Sequence, residues 1–410
     1  MEHYDDLETR DPEERERALF EELPRQISNA KTNAAGWAEI LADVAPNHIN
    51  SREALAELPV TRKSELNDRQ NSVPPLGGLI AAGSGELNWV FCSPGPIYEP
   101  GVRNGDFWRM GRALYAAGFR RGDIVHNTFA YHLTPAGHMM EAGAHACGCV
   151  VIPGGVGNTE QQLQAISHIR PKGYVGTPSF LRILLEKAAE ASLDVSSITN
   201  AAVGGEALPP SLRDYFRSGG IDVLQSYGTA DLGLVAYESP AMEGMILDEG
   251  VIVEIVRPGT GEPLDEGEVG EVVVTSLNPT YPLIRFATGD LSAILSGQSP
   301  CGRTNTRIKG WMGRADQTTK VKGMFVHPQQ IAEVTARHSE IGRARLVVDN
   351  TNHVDVMTLQ CEVANGSDQL KTAIASSLHT ICKLKGDVIF RKPGSLPNDG
   401  KIIDDVRTYE

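Results

Sequence analysis

The middle of the chain, from about residue 88 to residue 300, alternates short apolar runs with stretches of helical apolar spacing. The apolar runs that predict strands are 89–92, 123–125, 149–152, 173–176, 200–203 and 223–225. The stretches that predict helices are 106–119, 159–170 and 178–192. Strands that alternate with helices in this way indicate a parallel sheet covered by helices, with 149–152 as a buried strand.

The N-terminal region has a different pattern. Asp11 followed by a proline and two glutamates predicts a helix that begins there and ends near residue 23, and a second helix is expected over 25–41. Further along, Thr61 or Ser64 is expected to cap a short helix through a capping box.

The pattern changes again after residue 250. Two β-branched runs, 250–256 and 270–275, are separated by a glycine and proline turn and predict an antiparallel hairpin. A Gly/Ser/Pro/Thr-rich stretch then precedes a smaller α+β unit. We therefore expect two domains, 1–312 and 313–410.

The amino-acid composition argues against several classes of function. The 410 residues include 38 Lys and Arg against 52 Asp and Glu, which gives a formal net charge of −14. That balance argues against a nucleic-acid binder and a basic membrane-surface protein. No apolar run approaches a membrane span, the N-terminus does not resemble a secretory signal, and the six cysteines contain no CxxC pair. A cytoplasmic protein with reduced thiols is the expectation.

Five polar or glycine-rich segments carry candidate chemistry. They are 204–208, 226–231, 288–290, 313–323 and 396–401. Glycine turns at the carboxyl ends of parallel strands open a crevice where backbone N–H groups can meet phosphate oxygens. In such a crevice Tyr227 could stack on a base, Asp290 could bind ribose hydroxyls, and Asp231 could hold Mg²⁺. Lys401 could supply a cation to developing negative charge.

The order of these segments resembles the adenylate-forming (acyl-CoA synthetase) superfamily, and the branch that it looks like is the phenylacetate–CoA ligase family. The resemblance extends over roughly 20–410. The stretches that carry it are 177–179, 205–207, 227–231, 282–290 and 323–328. It implies a large N-terminal domain that binds AMP and the acyl group, and a small mobile C-terminal lid. It also implies ATP, Mg²⁺ and coenzyme A, with an acyl-AMP intermediate.

The resemblance assigns roles to individual residues. Those that would contact the nucleotide are Ser93, Gly95, Gly205, Glu206, Ala207, Tyr227, Gly228, Thr229, Asp290, Arg314 and Lys322. Those that would line the acyl pocket are Phe129, Tyr131, His132, Gly154 and Gly155. Lys401 would be the adenylation lysine, Asp316 the hinge, and Thr229 a contact of the α-phosphate. Asp231 would lie near Mg²⁺.

Two features depart from the family pattern. The stretch 93–100 stands where a Ser/Thr/Gly-rich phosphate loop is expected, and Glu99 replaces its lysine. A carboxylate at that place would repel ATP, so weak ATP affinity is predicted. In addition, Asp231 is one methylene shorter than the family's glutamate, and 237–240 offers no thiolate, so no zinc is expected there.

Our leading hypothesis is an ATP-dependent ligase that makes an acyl-CoA from an aryl or arylacetic acid, with a homodimer as a possible assembly. One alternative is a nucleotide-binding or acyl-CoA-binding protein with a degenerate phosphate loop. Another is an adenylating enzyme with an acceptor other than coenzyme A. Considered alone, Asp290 is typical of a turn residue and Lys401 of a surface residue. His132, His138 and His145 could form a stripe along a helix rather than a pocket. The order of all five segments favours the ligase.

Overall fold

The computed structural model describes residues 2–103, 105–312, 314–315, 319–326, 328–351, 354–397 and 402–407. The chain divides into two compact units, Met1–Gly313 and Arg314–Glu410. The helices of the large unit are α1 (Pro12–Asn33), α2 (Ala35–Ile40), α3 (Arg52–Ala56), α4 (Leu66–Ser72), α5 (Gly111–Ala116), α6 (Ala136–Ala146), α7 (Thr159–Ile169), α8 (Pro178–Ala191) and α9 (Pro210–Ser218). Short 3-10 helices cover Asp6–Thr9, Pro46–His48, Lys63–Glu65 and Ser84–Glu86.

The strands of the large unit form two main sheets and a hairpin. They are β1 (Thr61–Arg62), β2 (Trp89–Ser93), β3 (Ile97–Gly101), β4 (Ile124–Asn127), β5 (Val150–Pro153), β6 (Gly173–Gly176), β7 (Asn200–Val203), β8 (Asp222–Thr229), β9 (Gly233–Glu238), β10 (Met245–Leu247), β11 (Val251–Val256), β12 (Gly270–Ser276), β13 (Phe286–Ser292), β14 (Ile294–Leu295) and β15 (Arg307–Ile308). The largest sheet has the order β14-β15-β10-β9-β8-β7-β6-β4-β5.

Within that sheet, β5, β4, β6, β7 and β8 are mutually parallel, and the remaining strands are antiparallel. The predicted parallel sheet with covering helices is therefore confirmed. The expectation of a buried strand at 149–152 is wrong, because β5 lies at the sheet edge and Val150 is 59% exposed. Since parallel strands end on the same side of a sheet, the loops after β4, β5 and β7 open on the edge where β8 carries its last residues.

A second sheet has the order β1-β13-β12-β11. The predicted antiparallel pairing is confirmed, with Val251 opposite Ser276 and Val256 opposite Glu271. The two-residue strand β1 runs parallel to β13 and places the 3-10 helix at Lys63 beside it. β2 and β3 form a separate antiparallel hairpin.

Three expectations about helices are wrong. A single helix, α1, continues through Pro24, because the buried residues on both sides of that proline lie on one packed face. Thr61 caps no helix; its hydroxyl donates to the Ile284 carbonyl, and α4 begins without a side-chain cap. The helix expected over 106–119 is confined to α5, where the Asp106 carboxylate accepts the backbone N–H groups of Met110 and Gly111 at the start of the helix.

The small unit has its own core. Its elements are β16 (Thr319–Val321), β17 (Met324–Val326), α10 (Pro328–Ala336), β18 (Ile341–Thr351), β19 (Val354–Val363), α11 (Asp368–Cys382), β20 (Asp387–Arg391) and β21 (Ile403–Asp405). The main sheet has the order β20-β19-β18-β21 and buries residues such as Leu346, Leu359 and Leu378. Across the described part of both units, none of the helices is long and apolar enough to cross a membrane.

Candidate active site

The clearest polar network in the large unit joins β8 to β13. The Tyr227 hydroxyl lies 2.9 Å from Asp290 Oδ2 and 3.1 Å from Thr288 Oγ1. The other carboxylate oxygen, Asp290 Oδ1, accepts a hydrogen bond of 3.0 Å from Trp311 Nε1. The backbone N–H of Asp290 also donates to Thr288 Oγ1. We call these four residues the Asp290 cluster.

The Asp290 cluster is rigidly organised. Asp290 is 9% exposed, and each of its carboxylate oxygens has a donor, so its orientation is fixed. Each carboxylate oxygen has two lone pairs and can still accept a hydrogen bond from a ligand hydroxyl. Sequence reasoning selected Tyr227 and Asp290 but missed Trp311, which lies 21 residues further along the chain and has no local signal.

The glycine loop after β7 lies beside the end of β8. A Cβ atom added to Gly204 would come within 3.2 Å of the Ser226 carbonyl oxygen, so the two segments approach closely. Gly205 has a φ of +76°, a conformation that glycine adopts without strain. The next two residues, Glu206 and Ala207, are half-buried, and Gly228 is exposed. The structure therefore brings the expected adenine-flanking loop next to Tyr227.

A second group of polar residues follows β8. The Asp231 side chain is fully buried, and its Oδ2 forms an ion pair with the Lys63 ammonium. Thr229 Oγ1 lies 3.4 Å from the same oxygen and accepts the Leu232 N–H, so this hydroxyl is part of the local turn. Asp231 Oδ1 is buried and has no hydrogen-bond partner among the residues that the structure describes. The sequence did not indicate Lys63, which lies near Asp231 because β1 pairs with β13.

Glu99 lies in β3 and not in the turn where a phosphate loop was expected. The turn between β2 and β3 is Pro94-Gly95-Pro96, which is exposed, and Ser93 is the last residue of β2. The Glu99 side chain is 0% exposed, and neither carboxylate oxygen forms a hydrogen bond of normal geometry within the described chain. Burial, and then the charge of Asp231, raise the pKa of Glu99 to about 8, while Lys63 and Ser93 oppose the rise.

The residues expected at the acyl side separate into two groups. The Tyr131 hydroxyl donates to Glu141 and accepts from Asn127 Nδ2, both at 2.8 Å. A Cβ added to Gly155 would lie 3.8 Å from the Tyr131 ring and 3.9 Å from the Phe129 carbonyl, so these three residues adjoin. They are the members of the expected set that the structure brings together.

The other two expected acyl-side residues lie elsewhere. His132 is exposed, and Gly154 packs against the buried pair formed by His126 and Gln162, whose polar atoms are 2.7 Å apart. A side chain on Gly154 would clash with that pair at about 2.8–3.0 Å. Burial lowers the pKa of His126, which favours the neutral imidazole.

An aromatic group that sequence reasoning missed lies next to Tyr131. The His138 ring is 4.9 Å from the Trp89 ring, 5.3 Å from the Phe91 ring and 5.2 Å from the Tyr131 ring, measured between centroids. Burial lowers the pKa of His138, which favours the neutral ring among these neighbours. Of the three histidines that could form a helix stripe, His138 and the exposed His145 lie on α6, whereas His132 precedes that helix. The described residues contain no group of three or more His, Cys, Asp or Glu arranged to hold a metal.

The expected residues of the small unit are only partly described. Arg314 is half-buried, and Lys322 is exposed in the turn between β16 and β17, where its backbone N–H donates to Asp355 at 2.7 Å. Asp316 and Lys401 lie outside the described residues.

Comparison with known proteins identifies the class of enzyme that shares this fold. Residues 109–280 match the model of the AMP-binding enzyme family. The solved structure of a 2-hydroxyisobutyryl-CoA ligase, in complex with 2-HIB-AMP and CoA, has a TM-score of 0.83 at 23% identity and covers 98% of this chain and 92% of that chain. The fold is therefore that of the adenylate-forming enzymes.

Sequence relatives define the family within that class. A phenylacetate–coenzyme A ligase of Thermus thermophilus is 30% identical, over 94% of this chain and 91% of that protein. A phenylacetate–coenzyme A ligase of Escherichia coli is 28% identical, over 97% of this chain and 95% of that protein. The chain belongs to the phenylacetate–coenzyme A ligase family. It is accordingly an acid–thiol ligase, for which ATP and coenzyme A fit as co-substrates.

Proposed function

We propose that this ligase activates an aryl or arylacetic acid with ATP and Mg²⁺ and transfers the acyl group from acyl-AMP to coenzyme A. The observation that carries the proposal is the Asp290 cluster, a preorganised set of polar groups that would contact ribose and base, near the glycine loop of Gly205. Ligand crevices of α/β folds open at the carboxyl ends of the parallel strands.

In the first half-reaction, a carboxylate oxygen of the acid attacks the α-phosphorus of ATP, and pyrophosphate leaves with the electron pair of the broken P–O bond. Tyr227 and Asp290 would hold the adenosine, and Thr229 would lie beside the α-phosphate. Asp231 fits a metal ligand, because its buried Oδ1 lacks a hydrogen-bond partner within the described chain and carboxylate oxygens suit Mg²⁺. Mg²⁺, when bound with ATP, neutralises phosphate charge.

In the second half-reaction, the thiolate of coenzyme A attacks the acyl carbonyl carbon, and AMP leaves with the C–O electron pair. We assign Lys401 to the first half-reaction and Asp316 to the hinge that reorients the small unit between the steps. Arg314 and Lys322 would contact the nucleotide. The order of the sequence motifs supports these four roles.

The preference for an aromatic acid follows from the residues around Tyr131. The rings of Trp89, Phe91 and Tyr131 each lie beside the His138 ring, and Gly155 places no side chain on the Tyr131 ring. Aromatic rings favour offset or edge contacts with another ring. A flat arylacetic acid would gain more from these surfaces than an aliphatic acid of the same length.

The test is acid-dependent exchange of labelled pyrophosphate into ATP, measured for phenylacetate, benzoate and hexanoate, followed by AMP release with and without coenzyme A. We expect exchange with the aromatic acids, and faster AMP release when coenzyme A is added. Exchange only with hexanoate would contradict the aromatic preference. AMP release that coenzyme A does not accelerate would indicate another acceptor. A cytoplasmic location and a homodimer remain predictions of the sequence.

A further inference from the structure

His126 and Gln162 form a buried polar pair to which the proposed reaction assigns no role. His126 lies in β4 and is 0% exposed, and Gln162 lies in α7 and is 4% exposed. The side-chain Nε2 of Gln162 donates to the Gly155 carbonyl at 2.9 Å and to the Gly157 carbonyl at 2.6 Å. Both protons of this amide group are therefore used on residues 154–157, which follow β5 and which we call the Gly155 loop.

The same contacts decide which atom of the pair carries a proton. Because Nε2 of Gln162 faces two carbonyl oxygens, its Oε1 faces His126 Nε2, which lies 2.7 Å away. An amide oxygen only accepts, so His126 Nε2 is the donor. Burial lowers the pKa of His126, and its Nδ1 is buried without a partner among the described residues, as fits an unprotonated nitrogen. A neutral His126 therefore fixes the orientation of the Gln162 amide.

Asn127, the next residue of β4, links the Gly155 loop to Tyr131. The Asn127 carbonyl accepts the Gly155 N–H at 3.0 Å, and its side-chain Nδ2 donates to the Tyr131 hydroxyl at 2.8 Å. Gly155 is thus held at its N–H by β4 and at its carbonyl by α7. Two adjacent residues of one strand, His126 and Asn127, position the loop and the aromatic ring that it adjoins.

These contacts control the separation between the Gly155 loop and the Tyr131 ring. A Cβ atom added to Gly155 would lie 3.8 Å from that ring. One added to Gly154 would come within 2.8–3.0 Å of Gln162 and His126, so the loop packs directly on the buried pair. A displacement of the pair would therefore move the loop relative to the ring.

We propose that His126 and Gln162 are positioning residues that set the width of the acyl site, because they hold the Gly155 loop at a fixed distance from the Tyr131 ring. Neither residue has to touch the acid, since both act through the loop carbonyls. The proposal rests on the proposed function in one respect, namely that the acid binds beside Tyr131. Small displacements of groups that position a substrate change which substrates react well.

The first experiment measures pyrophosphate exchange with phenylacetate and with the wider 2-naphthylacetate. Gln162→Glu keeps the size of the side chain but places a carboxylate oxygen against the two loop carbonyls, and His126→Phe keeps a ring but removes the donor to Gln162. In both variants the ratio of kcat/KM for phenylacetate to that for 2-naphthylacetate should fall about 10-fold or more, while the Michaelis constant for ATP changes less than about 3-fold.

The matched control is Gln164→Glu, the same chemical change at an exposed position of α7. Its ratio should equal that of the natural chain. A loss of folded enzyme lowers both rates by the same factor and leaves the ratio unchanged, so the ratio separates positioning from a purely structural role. An unchanged ratio in Gln162→Glu and His126→Phe would overturn the proposal, and either variant suffices if the other fails to fold.

Hydrogen–deuterium exchange gives a second readout that requires neither ATP nor acid. Peptides that contain Gly155 should exchange about 10-fold faster in Gln162→Glu and His126→Phe than in the natural chain and Gln164→Glu, because the loop has lost its hold on α7. Equal protection in all four proteins would overturn the proposal. If the natural chain exchanged no pyrophosphate with either acid, the proposed function would fail, but faster amide exchange in the two variants would still support the role of the pair in holding the loop.

Discussion

The Asp290 cluster differs from three other buried residues, Glu99, Asp231 and Tyr281, in how the buried polar atoms are satisfied. In the Asp290 cluster, both carboxylate oxygens have donors, from Tyr227 and Trp311. Both carboxylate oxygens of Glu99, Oδ1 of Asp231 and the Tyr281 hydroxyl lack hydrogen-bond partners in the described part of the chain. A satisfied network is rigid before ligand arrives, whereas an unsatisfied one requires an ion or a proton. The comparison favours recognition of adenosine by the Asp290 cluster and of the cation by a separate residue, Asp231.

Asp231→Asn should produce the largest effect. It removes the carboxylate proposed to hold the cation at the phosphates, and we expect acid-dependent pyrophosphate exchange to fall roughly 10²–10³-fold. AMP affinity, measured by calorimetry, should change less than about 3-fold, since the Asp290 cluster is untouched. A parallel loss of AMP affinity would indicate that Asp231 and the Asp290 cluster belong to one site.

Asp290→Asn is the reciprocal change. The amide cannot accept from both Tyr227 and Trp311, and it removes a charged acceptor for ribose. AMP affinity should fall about 10–100-fold, as expected for a hydrogen bond to a charged group. The Mn²⁺ affinity of the nucleotide-free protein should stay the same, which a titration that follows free Mn²⁺ by electron paramagnetic resonance would check. Weaker Mn²⁺ binding would show that Asp290 belongs to the cation site.

Trp311→Phe should have a smaller effect on the Asp290 cluster. Phenylalanine keeps most of the ring but removes the Nε1 donor, leaving Asp290 Oδ1 without that hydrogen bond. We expect AMP affinity to fall about 3–10-fold, with the Michaelis constant for ATP rising in proportion and the maximal rate little changed. A fall in the maximal rate alone would place Trp311 in the chemical step and not in adenosine binding.

Glu99→Gln should change the pH dependence of stability. The pKa of Glu99 is raised from its ordinary value of 4.5 to about 8, so the folded protein keeps a proton that the unfolded chain releases. The resulting stability is complete below pH 4.5 and is lost as the pH rises through about 8. Glutamine resembles the protonated form, so in EDTA the variant should gain about 3 °C in Tm at pH 8 and less at pH 5. An equal gain at both pH values would contradict this explanation.

Much of the architecture could be predicted from the sequence, because periodicity reports which faces are buried. The strands 173–176 and 200–203 have the predicted bounds, and the antiparallel pair of β11 and β12 was also predicted. The break expected at Pro24 was wrong, because tertiary packing of α1 overrides the local preference of proline.

The candidate site was less predictable than the fold. Motif order located Tyr227, Asp231 and Asp290, but it could not identify Lys63 or Trp311, which reach these residues through the pairing of distant segments. Sequence position alone suggested that Glu99 lies in a phosphate loop. The structure instead places Glu99 in β3 with a buried side chain, because the turn between β2 and β3 is only three residues long.

The central claim is that adenosine is recognised independently of the cation. Its most direct test is a calorimetric titration of AMP into the natural enzyme, performed once with MgCl₂ and once with EDTA. The Asp290 cluster is complete without a cation, so the two dissociation constants should agree within about 2-fold, well under the tenfold that corresponds to about 1.4 kcal/mol. An AMP affinity that falls by about 10-fold or more in EDTA would contradict the account, because adenosine recognition would then depend on the cation site.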